Sequence, residues 1–71
     1  MRLAYDPTTD SLYIHLTDSP ATDSDEVSEG VVLDYDANGA LVGIDVQHAS
    51  TKADIRRLSV SHPPLQTLDA A

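Results

Sequence analysis

Apolar and polar side chains alternate with a period of two in four short segments, at residues 2–6, 12–17, 31–36 and 41–47. Such alternation, in segments rich in Tyr, Val, Ile and Leu, is typical of β-strands that bury one face. Turn residues separate the segments in pairs, with Asp-Pro-Thr-Thr-Asp-Ser at 6–11 and Asp-Ala-Asn-Gly at 36–39. Proline suits the second position of a type I turn, and the Asn-Gly pair accepts positive φ. The segments therefore predict two β-hairpins.

The fourth segment contains a glycine, Gly43, in the middle of an otherwise regular strand pattern. Glycine weakens a strand interior and often marks a bulge or a place where another group approaches closely. We therefore expect either a bulge at Gly43 or a close neighbour such as the ring of a tyrosine.

An acidic stretch joins the two hairpins. Residues 22–27 within it can form a fifth strand at the edge of the sheet, where charges discourage pairing with other chains. The same charges can also dock a basic partner and speed its encounter with the protein. A tyrosine on the polar side of its strand is a further interface candidate. The candidate interaction residues are thus Tyr13, Asp23, Asp25, Glu26 and Glu29.

The period changes after residue 49. Thr51 followed three residues later by Asp54 is a variant of the capping box, and it predicts about two turns of helix. The helix would turn three apolar residues toward the sheet, namely Ala53, Ile55 and Leu58. The prolines at positions 63 and 64 disfavour helix beyond this point.

The expected fold is α+β, with a twisted antiparallel sheet of four or five strands in meander order and one short helix on its apolar face. We predict a single domain over residues 1–58 and a mobile C-terminal tail over 59–71, unless Leu65 and Leu68 bind a partner. The predicted core consists of Leu3, Tyr5, Leu12, Ile14, Leu16, Val31, Leu33, Val42, Ile44, Val46, Ile55 and Leu58. Two turns of helix leave much of such a face exposed, so we predict a homodimer that closes it.

Composition excludes several classes of protein. Twelve acidic residues against four basic ones give a net charge of -8, which repels nucleic acids. The absence of cysteine excludes disulfides, zinc-thiolate sites and thiol nucleophiles. No apolar run approaches the ~20 residues of a membrane span, and no basic segment leads into an apolar one as in a signal peptide. We therefore expect a cytoplasmic protein that does not bind membranes or nucleic acid.

Residues 34–45 match part of the calcium-loop pattern D-x-[DN]-x-[DN]-G, with Asp instead of Glu at the twelfth place. A calcium loop joins two helices, however, whereas both flanks here alternate with period two. A hairpin turn explains the same letters, so we predict no metal and no cofactor. The alternative is an ion-binding domain that uses Asp34, Asp36, Asn38 and Asp45.

Catalytic patterns are absent from the sequence. The three histidines, His15, His48 and His62, have no metal-ligand spacing, and no serine lies in a G-x-S-x-G elbow. The three glycines form no phosphate-binding loop. We therefore predict a protein that is not an enzyme. A further alternative is a small enzyme whose site forms at a dimer interface around His15 and nearby aspartates.

Five stretches of the chain, at residues 3–6, 10–14, 31–36, 38–39 and 41–45, resemble the small prokaryotic family of unknown function numbered 2283. Asp45 stands where the family tends to have Glu, and nothing from Ser59 onward matches the family pattern. The resemblance implies no catalytic residue, because the family has no assigned activity. It implies, by analogy alone, an antitoxin-like role in binding a basic protein. Many antitoxins also carry a DNA-binding module, and none is visible here.

Overall fold

The computed structural model of the protein describes residues 1–61 and Pro64. Within them lie five strands, β1 (Arg2–Asp6), β2 (Ser11–His15), β3 (Asp23–Ser28), β4 (Val31–Tyr35) and β5 (Leu41–Gln47), followed by the helix α1 (Ala49–Lys52). The strands form one antiparallel sheet, which confirms the predicted α+β class. The predictions for His62, Leu65 and Leu68 lie outside the described residues, as does most of the predicted tail.

The strands lie in the order β1-β2-β5-β4-β3, so the predicted meander order is wrong. The last of the described strands, β5, is the central one, and it pairs with both β2 and β4. This order places β5, which carries Val42, Ile44 and Val46, where both of its edges are paired. It leaves the acidic strand β3 at an edge, where its charged side chains stay in water.

The pairing register gives the sheet an apolar face and a polar face. One row on the apolar face crosses the sheet through Leu3, Ile14, Ile44, Leu33 and Asp25, and a second runs through Tyr5, Leu12, Val46 and Val31. We call the surface formed by the apolar residues of these two rows the apolar face. The predicted assignment of these residues to one side of the sheet is therefore confirmed.

None of the apolar side chains in these two rows is fully buried. Among the described residues, only Gly30, Val42, Gly43 and Ala49 are fully buried. Leu3 and Tyr5, both predicted core residues, are 42% and 43% exposed. Apart from the buried Val42, the predicted core therefore lies on the correct side of the sheet but is not enclosed by a second layer of residues 1–61 and Pro64.

The helix is shorter than predicted and begins earlier. It has four residues, starting after His48, which has a left-handed φ of 52°, and ending at the extended Ala53. The hydroxyl of Thr51 donates to the carbonyl of His48 within this turn, so it does not cap a helix that starts at Thr51. The residues predicted to face the sheet beyond Ala53 do not do so in a helix: Leu58 is 63% exposed, and Ile55 is only half-buried.

A residue far away in the sequence caps the helix instead. The carboxylate of Asp10 accepts hydrogen bonds from the backbone N–H of Ser50 at 3.1 Å and from its hydroxyl at 2.7 Å. The carbonyl of Asp10 also accepts the N–H of Ala49 at 2.9 Å. Carboxylates satisfy the free N–H groups at a helix start, so this contact fastens α1 to the turn between β1 and β2.

Candidate functional site

A hydrogen-bonded cluster lies on the polar face of the sheet. The hydroxyl of Tyr13 donates to Asp34 Oδ2 at 2.5 Å, and the hydroxyl of Ser24 donates to Asp34 Oδ1 at 2.7 Å. The residues come from β2, β4 and β3, and Tyr13 reaches Asp34 by lying across Gly43 of β5. We call Tyr13, Ser24, Asp34 and Gly43 the Tyr13 cluster. It joins four of the five strands.

Gly43 leaves the space that the Tyr13 ring occupies. A Cβ atom at this position would lie 2.6 Å from Cζ of Tyr13, well inside van der Waals contact. The register of β4 and β5 also shifts beside it, between Asp34 and Tyr35. Both expectations for Gly43, a bulge nearby and a tyrosine ring as close neighbour, are confirmed.

The Tyr13 cluster keeps its phenol protonated. The hydrogen bond to Asp34 raises the pKa of Tyr13 to about 12, with further contributions from partial burial and from the charges of Asp34 and Asp45. The ring of His15 packs on the Tyr13 ring, with centroids 4.4 Å apart. Since both oxygens of Asp34 accept hydrogen bonds, its carboxylate is held as a structural acceptor. The arrangement ties strands together through hydrogen bonds between their side chains.

A second cluster surrounds Asp10, a residue for which the sequence predicted only a place in the turn between β1 and β2. Besides holding Ser50, its carboxylate accepts a hydrogen bond from the hydroxyl of Tyr5 at 2.7 Å. The hydrogen bonds from Ser50 and then from Tyr5 lower the pKa of Asp10, and the same carboxylate raises the pKa of Tyr5. The only hint in the sequence was that Asp tolerates the left-handed backbone, which Asp10 adopts with φ 53°.

The residues of the calcium-loop pattern do not gather around one point. Asp36 Oδ1 accepts the backbone N–H groups of Asn38 at 2.9 Å and Ala40 at 3.0 Å, as in an Asx-stabilised turn. Asp34 belongs to the Tyr13 cluster, and Asp45 pairs with Tyr13 across the strands. Across residues 1–61 and Pro64, no group of three or more His, Asp or Glu is placed to hold a metal ion.

The turn itself differs from the expected Asn-Gly geometry. Gly39 has φ 80°, whereas Asn38 is not among the described residues with positive φ. The N–H of Gly39 donates to the carbonyl of Asp36 at 3.0 Å, which closes the turn. A single left-handed glycine after a tight turn is the pattern of a three-residue hairpin loop.

The predicted interaction residues are divided between the two faces. Asp23 and Asp25 pair with Tyr35 and Leu33, so they border the apolar face along β3. Glu26 pairs with Val32 on the polar side, and its carboxylate accepts the N–H of Gly30 at 3.0 Å. Glu29 is exposed in the turn after β3. Tyr13 lies on the polar face as predicted, with its hydroxyl engaged by Asp34.

The apolar face is a candidate binding surface, because its side chains are not covered by α1. The extensive contacts between elements are all between neighbouring strands, so α1 does not form a covering layer.

A shallow depression is lined by residues 50–56, one continuous stretch around α1. No described helix has the length and apolar character needed to cross a membrane.

Comparison with known proteins gives one match. The family described as "Protein of unknown function (DUF2283)" matches residues 2–50, a range that contains all five strands and both clusters. No curated protein and no solved structure matches the chain. Three residues from the stretches that carry the resemblance, namely Tyr13, Asp34 and Gly43, meet in the Tyr13 cluster.

Proposed function

Since the chain belongs to the DUF2283 family of proteins of unknown function, we propose from its geometry that it is a non-enzymatic protein-interaction module that binds through its apolar face. The observation that carries this proposal is the open face itself. A five-stranded sheet presents two rows of apolar side chains, and none of the side chains in these rows is fully buried. Contiguous apolar patches that reach solvent mark binding sites in folded proteins.

The energetics favour a partner that covers the face. Complete burial of a Leu, Ile or Val side chain stabilises by about 1.5–3 kcal/mol relative to exposure. Leu12, Ile14, Leu33 and Ile44 are each only half-buried, so part of this free energy is available on binding. A single-layer sheet in a chain of 71 residues buries too little surface to be more than marginally stable without that contribution.

The border of the face favours partners with positive charge. Asp23 and Asp25 lie along the β3 edge of the face, and the chain as a whole carries a net charge of -8. A partner with an apolar centre and basic residues at its rim would be attracted over a distance and then held by burial. The antitoxin-like analogy, in which an acidic protein binds a basic toxin, fits this arrangement.

The Tyr13 cluster supports a non-enzymatic role. Its phenol is held protonated and its carboxylate already accepts two hydrogen bonds, so it acts on the fold rather than on a substrate. The cytoplasmic location stays a prediction from the sequence.

A pair of adjacent substitutions tests the proposed function. Leu33→Gln places an amide on the apolar face, and Val32→Gln places the same amide on the polar face of the same strand, where the original residue is also half-buried. Immobilised wild type should retain specific proteins from a lysate of its source cells. Leu33→Gln should lose them, and Val32→Gln should keep them. Equal retention by both folded variants would refute binding through the apolar face.

A further inference from the structure

We propose that a second copy of this chain covers the apolar face, with the two sheets packed face to face and β1 of each copy lying over β3 of the other. The inference rests on the proposed function and names a different occupant of the same face from the basic partner: a second copy, whose apolar face supplies the burial although its charge of -8 opposes association. The resulting dimer would be a β-sandwich whose two polar faces, each with its Tyr13 cluster, point outward.

The size of the face is sufficient for a dimer. Five strands about 4.8 Å apart, each rising ~3.3 Å per residue, present roughly 400–500 Å² in projection. Two such faces together bury about 1,000 Å². This figure leaves out the additional surface of the protruding side chains, and it already reaches the lower range of areas buried in specific interfaces. The surface that best matches a sheet of this width, twist and apolar character is a second sheet of the same kind, packed at ~10 Å.

The charges on the face select one orientation of the two copies. In a face-to-face pair, the two-fold axis lies in the plane between the sheets. An axis across the strands would place β3 over β3, so that Asp23 and Asp25 would face their own copies. Like charges directly opposite one another are destabilising, which disfavours this arrangement.

An axis along the strands avoids that repulsion. It reverses the strand order of the second copy, so β3 lies over β1, whose residues on the apolar face are the uncharged Leu3 and Tyr5. The central strand β5 then lies over β5, with Ile44 close to the axis. The acidic residues of β3 lie at the rim of the interface, where water still reaches them.

Sedimentation velocity on the full chain tests the association. We expect a species of twice the 7.6 kDa chain mass. Its fraction should rise when salt increases from about 0.01 M to about 1 M, because screening weakens the repulsion between two copies of charge -8. Leu33→Gln should sediment as a monomer and Val32→Gln as a dimer. A monomer at all concentrations and salt levels would overturn the proposal.

Crosslinking tests the orientation and does not depend on a disruptive substitution. The chain has no cysteine, so single cysteines introduced as Leu3→Cys and Asp25→Cys, both on exposed residues of edge strands, are unique. With a short bismaleimide, a mixture of the two variants should form heterodimers efficiently, and each variant alone should not. Efficient crosslinking of Asp25→Cys to itself would overturn the proposed axis.

The two experiments also separate this inference from the proposed function. If the chain is monomeric and Leu33→Gln still loses partners that Val32→Gln retains, the face binds another protein and only the dimer is refuted. If the chain is monomeric and neither variant changes partner retention, both proposals fail.

Discussion

Tyr13 and Asp34, which lie 21 positions apart in the chain, are joined by a 2.5 Å hydrogen bond that passes over the bare backbone of Gly43. The two residues lie on strands that do not pair with each other, since β5 separates β2 from β4. The contact therefore ties together strands that backbone hydrogen bonds connect only through β5.

Replacing Gly43 with Ala tests this contact by steric means. The added methyl group would meet the ring of Tyr13, which must turn away and lose its bond to Asp34. We expect Gly43→Ala to lower the free energy of unfolding by about 1–3 kcal/mol, as measured by urea denaturation. In Tyr13→Ala, which removes the ring, the same substitution should cost less. Equal costs in the two backgrounds would show that the ring does not occupy this space.

Alkaline pH should weaken the same contact. The pKa of Tyr13 is raised to about 12 in the folded protein from an ordinary value of 10.0. The protonated phenol therefore contributes stability that is complete below pH 10 and is lost as the pH rises through about 12. Asp34→Asn should shift the ultraviolet titration of one tyrosine toward lower pH. An unchanged titration in Asp34→Asn would contradict the assigned cause of the shift.

Acid should weaken the hydrogen bonds by which Asp10 holds the start of α1. Hydrogen bonds from Ser50 and Tyr5 lower the pKa of Asp10 from 3.8, so its contribution to stability is present above that value and is lost as the pH falls through the lower, folded-state pKa. We expect Asp10→Asn to lower Tm at neutral pH and to reduce the dependence of Tm on acid pH. The control is Asp18→Asn, an exposed residue in the β2–β3 loop, which should leave Tm nearly unchanged. Equal effects of the two substitutions would argue against the cap.

Calcium should not change the stability of the protein. The carboxylate of Asp36 already accepts two backbone N–H groups, and that of Asp34 accepts two hydroxyl groups. We therefore expect the same Tm in calcium and in EDTA. Asp36→Ala should lower Tm equally in both, because it removes the turn hydrogen bonds. A rise in Tm with calcium that Asp36→Ala abolishes would establish the ion-binding alternative.

Local features of the fold were predictable from the sequence. Alternation of side chains predicted the four main strands, the acidic stretch predicted the edge strand, and Gly43 predicted a close tyrosine. Each of these depends on a physical rule that operates within a few residues, such as the period of a strand or the space beside a glycine.

Features that depend on distant residues were not predictable in this way. The central place of β5 and the cap that Asp10 provides to Ser50 both arise from contacts between separated segments. One short helix is present as predicted, but its predicted start and length were wrong for the same reason. The Thr51–Asp54 pattern suggested a local cap, whereas Asp10 fixes the start of the helix one turn earlier.

The central position of β5 has a consequence for synthesis of the chain. β5 is the last of the described strands to leave the ribosome, yet β2 and β4 both pair with it. Until residue 47 has emerged, the nascent chain holds at most two separate strand pairs, each too small to be stable in water alone. The complete sheet can therefore form only after β5 has emerged, and an incomplete chain that stops before β5 leaves its apolar strands without their central partner.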